Sequence, residues 1–305
     1  MKKRVKSILR NFLDFFFEIF TLNHFMIKET DQIQQAVDFL SAHIPESFPE
    51  IGLTLGSGWG TFADQMETQF SVATASIPFW PVSTVEGHEG RLVCGRINNV
   101  PLLILQGRVH YYEGYPIHKV VFPIRVLSKL GVRILVLTNA AGALNSKFSP
   151  GDLMLITDHI NLMGTNPLLG FHDLSYGERF PDMSTPYDPA LIRIAEKEAK
   201  KSNILLRKGI LAVTSGPSYE TAAEIRMIRR MGGDAVCMST VPEVIAGVQM
   251  GMRILGVSLI SNMATGLSSS RLSHHEVKEV AMRGQKQFSV WMREVILGIS
   301  VNMDS

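Results

Sequence analysis

The feature that most constrains the fold is an alternation, from about residue 27 onward, of short apolar runs with helical patterns. Runs such as IGLTL (51–55) and RILVL (133–137) are almost continuously apolar, which is typical of strands buried on both faces. Helices between such strands cover the two faces of a largely parallel sheet. We therefore expect an α/β fold: a single domain with a central mixed, mainly parallel β-sheet flanked by helices.

Turn and cap residues set the boundaries of these elements. Asn98-Asn99 predicts a tight turn between two paired strands. Pro123 restricts a helix to a start near residue 120, and Asp188-Pro189 is typical of a helix start. Strands are predicted at 51–58, 91–97, 100–107, 133–142, 152–162, 208–218, 235–240 and 253–262, the fourth opening into a glycine loop. Residues 163–187 have no regular pattern and are predicted to cover a site or an interface.

The N-terminus is interpreted separately. It begins with basic residues and becomes apolar, like a signal peptide, but Asp14 and Glu18 interrupt the apolar run and no small-x-small cleavage site follows. A membrane-spanning helix needs about 20 apolar residues, more than this run offers. We interpret residues 1–25 as an extension, either a basic surface helix or a stretch upstream of a true start at Met26, and residues 26–305 as the domain.

Composition excludes several function classes. The net charge of +2 over 305 residues requires neither a nucleic-acid partner nor a stable membrane association. Cys94 and Cys237 are the two cysteines, and neither lies in a C-x-x-C pair. A disulfide framework or zinc site is therefore not expected, and a cytoplasmic location fits.

Unusual residues gather at the ends of the predicted strands, where ligands bind in open α/β sheets. The segments are GSGWG (56–60), GRVHYYEG (107–114), TNAAG (138–142), SGPSYET (215–221), CMST (237–240) and SNMATG (261–266). Together they offer backbone amides, hydroxyls, Arg108 and His110, which are the groups that bind an oxyanion such as phosphate. Each element has a simpler explanation on its own: GSG could be only a tight turn, Arg108 a surface ion pair, and His110 a structural histidine. No Walker loop and no G-x-G-x-x-G motif is present.

Seven motifs in order resemble one known family over residues 30–297. GSGWG, STVEGHEGR (83–91), QGRVHYYEGY (106–115), TNAAG, RFPDMSTPYD (179–188), TSGPSYET (214–221) and CMSTVPE (237–243) are similar to motifs of the trimeric purine nucleoside phosphorylases. The resemblance implies a nucleoside phosphorylase-like fold, a homotrimer, and cleavage of purine nucleosides by inorganic phosphate. Phosphate would be a co-substrate, and neither a metal nor an organic cofactor would take part.

The resemblance also implies roles for individual residues. The phosphate site would comprise Ser57, Arg108, His110, the backbone amide of Ala140, and Ser239. The nucleoside site would comprise His88 beside phosphate and sugar, Tyr112 on the ribose, Met238 beneath it, His274 on the 5′-hydroxyl, Phe180 reaching across a subunit boundary, and Glu220, Asn262 and Tyr219 at the base. Asn262, His110 and Glu220 would be the catalytic residues. Independently, the pattern SHHE (273–276) predicts a capping box with His274 in the first helical turn.

The chemistry of these residue types predicts a substrate preference. Glycosidic cleavage passes through an oxocarbenium-like state with negative charge on the leaving base. A 6-oxopurine carries a ring N–H that Glu220 can accept, whereas adenine presents a bare acceptor there. We therefore expect inosine, guanosine and their 2′-deoxy forms as substrates.

Three departures and two alternatives remain open. Met263 stands where some family members have lysine, Ser261 replaces a common threonine, and Tyr219 replaces a common phenylalanine, which could admit xanthosine. One alternative is a 5′-methylthioadenosine phosphorylase, which needs an aspartate where SNMATG has asparagine. The other is a non-catalytic nucleoside-binding protein on the same scaffold.

Overall fold

A computed structural model describes residues 28–44, 49–85, 87–267 and 274–303, apart from the side chains of residues 274–278 and 281. The extension predicted for residues 1–25 and the capping box predicted at Ser273 and Glu276 lie outside this description. So does the side chain of His274.

The described chain alternates strands and helices, as the sequence predicts. The strands are β1 (Ile51–Leu55), β2 (Glu67–Ala73), β3 (Arg91–Ile97), β4 (Val100–Gln106), β5 (Ile134–Ala143), β6 (Leu153–Asn161), β7 (Leu206–Val213), β8 (Ala235–Cys237) and β9 (Arg253–Met263). The helices are α1 (Glu29–Ser41), α2 (Ile117–Val120), α3 (Phe122–Lys129), α4 (Pro189–Lys201), α5 (Ala222–Arg230), α6 (Val241–Gln249) and α7 (His274–Met303).

All of these strands belong to one mixed sheet, in the order β2-β3-β4-β1-β5-β8-β7-β6-β9. β9 also pairs in parallel with β5, so that five strands, β5, β8, β7, β6 and β9, form a closed ring. β1, β4, β3 and β2 extend from this ring as an open sheet. Apolar clusters lie on the two faces of the sheet beneath the helices, which confirms the predicted α/β architecture.

Local sequence accounts for the clearest boundaries. Asn98 and Asn99 adopt positive φ angles of 49° and 66° between β3 and β4, which is the backbone of the tight hairpin turn expected there. The Asp188 carboxylate accepts hydrogen bonds from the amides of Ala190 and Leu191, and Pro189 opens α4. Both predictions are confirmed.

The predicted glycine loop at TNAAG is wrong. These residues continue β5 to Ala143, because β9 pairs with one edge and β8 with the other, and Gly142 itself lies opposite both Val236 and Asn262. β2 was not predicted, because ETQFSVA is largely exposed and polar. It pairs with β3 at the edge of the sheet.

The irregular segment 163–187 is held by the basic side chains of α3. Arg125 is fully buried, lies 3.6 Å from the centroid of the Phe171 ring and donates to the carbonyl of Pro167. It is also ion-paired with Glu29 of α1. Lys129 donates to the carbonyl of Ser175. A single turn of 3-10 helix, Leu174–Tyr176, is the regular structure within this segment.

The described residues include no helix that is both long and apolar enough to cross a membrane. They also contain no cluster of three or more His, Cys, Asp or Glu side chains placed to hold a metal. Cys94 and Cys237 are both buried and unpaired.

Candidate active site

One cavity collects the carboxyl ends of β1, β4, β5, β8 and β9 and the loop after β7. Its lining consists of Ser57, Arg108, His110, Tyr112, Asn139, Ala140, Ala141, Gly142, Tyr219, Glu220, Val236, Cys237, Met238, Ser239, Ser261, Asn262 and Ala264. Polar groups from six segments that are distant in sequence therefore face one cavity.

The guanidinium of Arg108 is buried at one end of this cavity, with 6% of the residue exposed. Nη1 donates to the carbonyl of Thr138 at 2.6 Å, and Nε lies 2.9 Å from a carboxylate oxygen of Glu243, itself buried. Nη2 has no hydrogen-bond partner among the described residues. The guanidinium is thus held by protein groups at Nη1 and Nε, and Nη2 remains available to a ligand.

Gly56 makes room for this arrangement. A Cβ at that position would lie 2.6 Å from the carbonyl oxygen of Thr138 and 3.0 Å from Nη1 of Arg108. Any side chain there would push the arginine and β5 apart. Gly56 is therefore required by close packing against Arg108 and β5, whereas the positive φ of 84° in this turn belongs to Gly58.

His110 lies beside Arg108 and is oriented by Glu113, three residues later. One oxygen of Glu113 accepts from the backbone N–H of His110 at 2.7 Å and contacts Nδ1 of its ring at 2.9 Å. The other oxygen accepts from the amide and hydroxyl of Thr84. Because a carboxylate only accepts, Nδ1 carries the ring hydrogen and Nε2 carries the lone pair.

Burial keeps the histidines of this region neutral. It lowers the pKa of His88 to about 4, with the neighbouring His110 adding to the effect, and it also lowers the pKa of His110. Burial alone would raise the pKa of Glu113, but hydrogen bonds from His110 and Thr84 outweigh it and bring that pKa to about 2. At neutral pH the pair is a neutral imidazole on a carboxylate.

His88 lies behind the cavity wall rather than in the lining. Its Nδ1 lies 2.7 Å from the carbonyl of Arg108, its Nε2 lies 3.4 Å from the hydroxyl of Ser57, and its ring centroid lies 5.1 Å from that of His110. It therefore contacts the Arg108 end of the cavity through Ser57 and His110.

Two further polar side chains with fixed orientation, Glu220 and Asn262, line the cavity. Glu220 is 9% exposed and accepts from the hydroxyl of Thr214 at 2.7 Å. The Asn262 side-chain oxygen accepts from the Ser261 hydroxyl at 2.7 Å, and its nitrogen donates to the carbonyl of Met263 at 3.0 Å. Glu220 thus offers a carboxylate acceptor, and Asn262 offers an amide whose orientation Ser261 sets.

Tyr112 and Met238 also line the cavity. The ring of Tyr112 stacks on His110 with centroids 4.6 Å apart and planes 15° apart. Burial raises the pKa of Tyr112 to about 12, so the phenol remains a hydrogen-bond donor. Gly216 allows the close packing, since a Cβ there would lie 2.5 Å from the sulfur of Met238.

Most of the predicted site residues are brought together. Ser57, Arg108, His110, Tyr112, Ala140, Tyr219, Glu220, Met238, Ser239 and Asn262 line the cavity, and His88 packs behind it. Phe180 does not line the cavity and is 82% exposed.

Sequence reasoning missed Asn139, which itself lines the cavity, and three residues that contact lining residues: Glu113, Thr240 and Glu243. All four lie inside the quoted motifs, but their signals differ. Glu113 follows His110 at the spacing of a capping box, but a histidine in place of Ser or Thr makes that a weak signal in the sequence. The contacts of Asn139 with Thr240, and of Glu243 with Arg108, join distant segments and leave no local signal.

Comparison with known proteins gives one consistent result. The family model described as "Phosphorylase superfamily" matches residues 50–296. Purine nucleoside phosphorylase 1 of Bacillus subtilis is 52% identical over 266 residues, covering 87% of this chain and 98% of that protein. The Geobacillus stearothermophilus protein of the same name is 49% identical over 270 residues, covering 88% and 98%. A solved schistosoma purine nucleoside phosphorylase in complex with hypoxanthine is 33% identical with a TM-score of 0.83, covering 89% of this chain and 98% of that one.

Proposed function

Because this chain belongs to the phosphorylase superfamily and is a purine nucleoside phosphorylase, we infer that its cavity binds inorganic phosphate and a purine nucleoside side by side. The enzyme is a pentosyltransferase. It cleaves the N-glycosidic bond reversibly, giving a purine base and ribose 1-phosphate.

Phosphate is proposed to bind at the Arg108 end. One observation carries this assignment: Arg108 is buried and its Nη2 has no hydrogen-bond partner among the described residues. Arg108 lines the same cavity as Glu220. Ser57, Ser239 and the amide of Ala140 supply further neutral donors. Because His110 is neutral with its hydrogen on Nδ1, its Nε2 can accept a hydrogen bond from a protonated phosphate oxygen.

The sugar and base are proposed to lie toward Glu220 and Asn262, with Tyr112 and Met238 at the sugar and Tyr219 on the base. His88 and His274 complete the proposed nucleoside contacts. Phosphate on one face of the sugar stabilises the positive charge of the transition state and then bonds to the anomeric carbon. The Asn262 amide stabilises the departing base. The protein positions the reactants, so this chemistry requires neither a metal ion nor an organic cofactor.

We propose a preference for the 6-oxopurines inosine and guanosine and their 2′-deoxy forms. Glu220 is a buried acceptor, and its contact with Thr214 supports an orientation fixed before a ligand binds. It can accept the ring N–H of a 6-oxopurine, whereas the unprotonated ring nitrogen of adenine would face a negative charge. The same residue disfavours a 5′-methylthioadenosine phosphorylase, as does an asparagine at position 262.

The experiment is base release from inosine, guanosine, xanthosine and adenosine, each with and without phosphate. We expect phosphate-dependent release from inosine and guanosine and none from adenosine. Glu220→Gln should lower kcat/KM for inosine by roughly a hundredfold, whereas Glu224→Gln, which preserves the capping box of α5, should not. Rapid adenosine cleavage would overturn the base assignment, and release that ignores phosphate would indicate a hydrolase. Xanthosine cleavage would extend the range to a more polar base, as Tyr219 allows.

We further propose a homotrimer in which the exposed Phe180 covers the ribose site of a neighbouring subunit. Its exposure and its position in the segment held by α3 support an intersubunit role. Two buried, unpaired cysteines fit a reducing compartment such as the cytoplasm, where the enzyme would act in purine salvage.

A further inference from the structure

Thr240 has an unusual backbone conformation immediately after the cavity residue Ser239. Its φ and ψ angles are 75° and −53°, and the N–H of Val241 donates to the carbonyl of Ser239 at 2.9 Å. This is a three-residue γ-turn with positive φ, a rare and strained form that a β-branched residue seldom adopts. Such a strained conformation persists only where the surrounding structure imposes it.

The turn places the Thr240 hydroxyl between two polar side chains. The amide nitrogen of Asn139, on β5, donates to Oγ1 of Thr240 at 2.9 Å, and Oγ1 lies 3.3 Å from the hydroxyl oxygen of Ser239. Asn139 and Thr240 are each 1% exposed. The three side chains therefore form a hydrogen-bonded chain with a buried Thr240 at its centre, and both of its end members, Asn139 and Ser239, line the cavity.

The direction of the hydrogen bonds in this chain follows from its first member. An amide NH2 group can only donate, so Oγ1 of Thr240 accepts from Asn139. The hydrogen of the buried Thr240 hydroxyl then points to Ser239, because otherwise it would have no acceptor, which is costly for a buried donor. With its oxygen accepting from Thr240, Ser239 is left with its own hydrogen free for a ligand in the cavity.

We propose that Asn139 and Thr240 are positioning residues that make Ser239 a hydrogen-bond donor to phosphate. The inference rests on the proposed binding of phosphate at this end of the cavity. The strained turn serves this purpose because it points the Thr240 hydroxyl back toward Ser239 while α6 begins at Val241.

Three substitutions of Thr240 test the proposal, with the KM for phosphate and the KM for inosine measured separately. Thr240→Val keeps the branched shape and removes the hydroxyl, and we expect the phosphate KM to rise roughly tenfold while the inosine KM stays at the wild-type value. Thr240→Ser restores the hydroxyl and should restore the wild-type phosphate KM. Thr240→Gly adopts the positive φ without strain and also removes the hydroxyl, so it should show the raised phosphate KM as well.

Asn139→Ala provides an independent test of the same chain. Asn139→Ala alone should raise the phosphate KM. Combined with Thr240→Val it should raise that KM little further, because both changes interrupt the same hydrogen-bonded chain. If the wild type releases no base in the presence of phosphate, the proposed function itself fails. If the wild type is active but Thr240→Val leaves the phosphate KM unchanged, or raises both KM values equally, the positioning role alone is wrong.

Discussion

At the scale of single residues, the proposed phosphate end of the cavity, at Arg108, combines one buried positive charge with its own counter-ion. Glu243 lies against Arg108, and the pKa values of His88 and His110 are both lowered. The site therefore offers a dianion directed hydrogen bonds rather than a large excess of positive charge. Its affinity depends on how each donor and acceptor is oriented, so the residues behind the lining matter as much as the lining itself.

Replacing Glu113 tests this dependence on orientation. A glutamine cannot accept at both of its terminal atoms, so its NH2 group would face either Nδ1 of His110 or the amide of Thr84. For Glu113→Gln we expect kcat/KM for phosphate to fall about 10- to 100-fold, the effect of losing a hydrogen bond to a charged group. Steady-state kinetics of base release measures it. Glu89→Gln, at an exposed carboxylate paired only loosely with Arg91, is the matched control, and equal activity of the two variants would contradict the role of Glu113.

The lowered pKa of His88 predicts a pH dependence of stability. In the unfolded chain a histidine protonates near pH 6.5, whereas folded His88 does so near pH 4. As pH falls through this window the unfolded state binds the proton first, so His88 lowers the free energy of unfolding there and has no such effect above about pH 7. The wild type should therefore lose more stability between pH 6.5 and 4 than His88→Gln, by urea denaturation. A constant difference between the two proteins from pH 8 to pH 4 would count against it.

At the scale of elements, local signals predict where strands and helices begin. They fail where pairing with a distant strand determines the boundary. Asp188 and the Asn98-Asn99 pair carry their own turn and cap chemistry, so those boundaries follow from the sequence. Gly142 looks like a loop residue in isolation but lies in β5, because two neighbouring strands satisfy its backbone. β2 has little apolar character and forms because β3 offers an edge.

The contacts of Arg125 on α3 with segment 163–187 give a prediction about the stability of that segment. Arg125→Met removes the ion pair with Glu29, the hydrogen bond to Pro167 and the stacking on Phe171. We expect a loss of about 3 kcal/mol in the free energy of unfolding, together with faster proteolysis within 163–187. Arg133→Met, at an exposed arginine of the same length, should change neither. A loss of unfolding free energy below about 0.5 kcal/mol, the range of ordinary surface substitutions, would show that these Arg125 contacts contribute little to stability.

At the scale of the whole molecule, the sequence predicts the class of fold but not the ring. β5 and β9 are more than a hundred residues apart and share ten paired positions, and no local pattern specifies which distant strands meet. The same holds for the cavity. Its strand-end residues could be listed from their motifs and family resemblance, while the contacts that orient them, such as Arg108 with Glu243, exist only once the ring has closed.

The proposed trimer can be tested by mixing defects. Co-expressed Phe180→Ala and Asn262→Ala chains would form some sites with Asn262 from one subunit and Phe180 from its neighbour. We expect activity above the sum of the two variants made separately. Asn262→Ala mixed with Glu220→Ala is the control, since both residues line the cavity of one chain and no intact site can form. Recovery in neither mixture would place Phe180 outside the neighbour's site.

Closure of the ring also bears on how the protein behaves at high concentration. An unpaired strand edge can recruit a strand from another molecule and begin aggregation. Among the described strands, the ring leaves one terminal edge, that of β2, which carries the polar sequence ETQFSVA and a register shift between Thr68 and Phe70. The long apolar strands β1, β4, β5 and β9 each have a neighbouring strand on both sides. The topology that assembles the cavity thereby also hides the segments most prone to form fibrils, and leaves exposed the strand least suited to it.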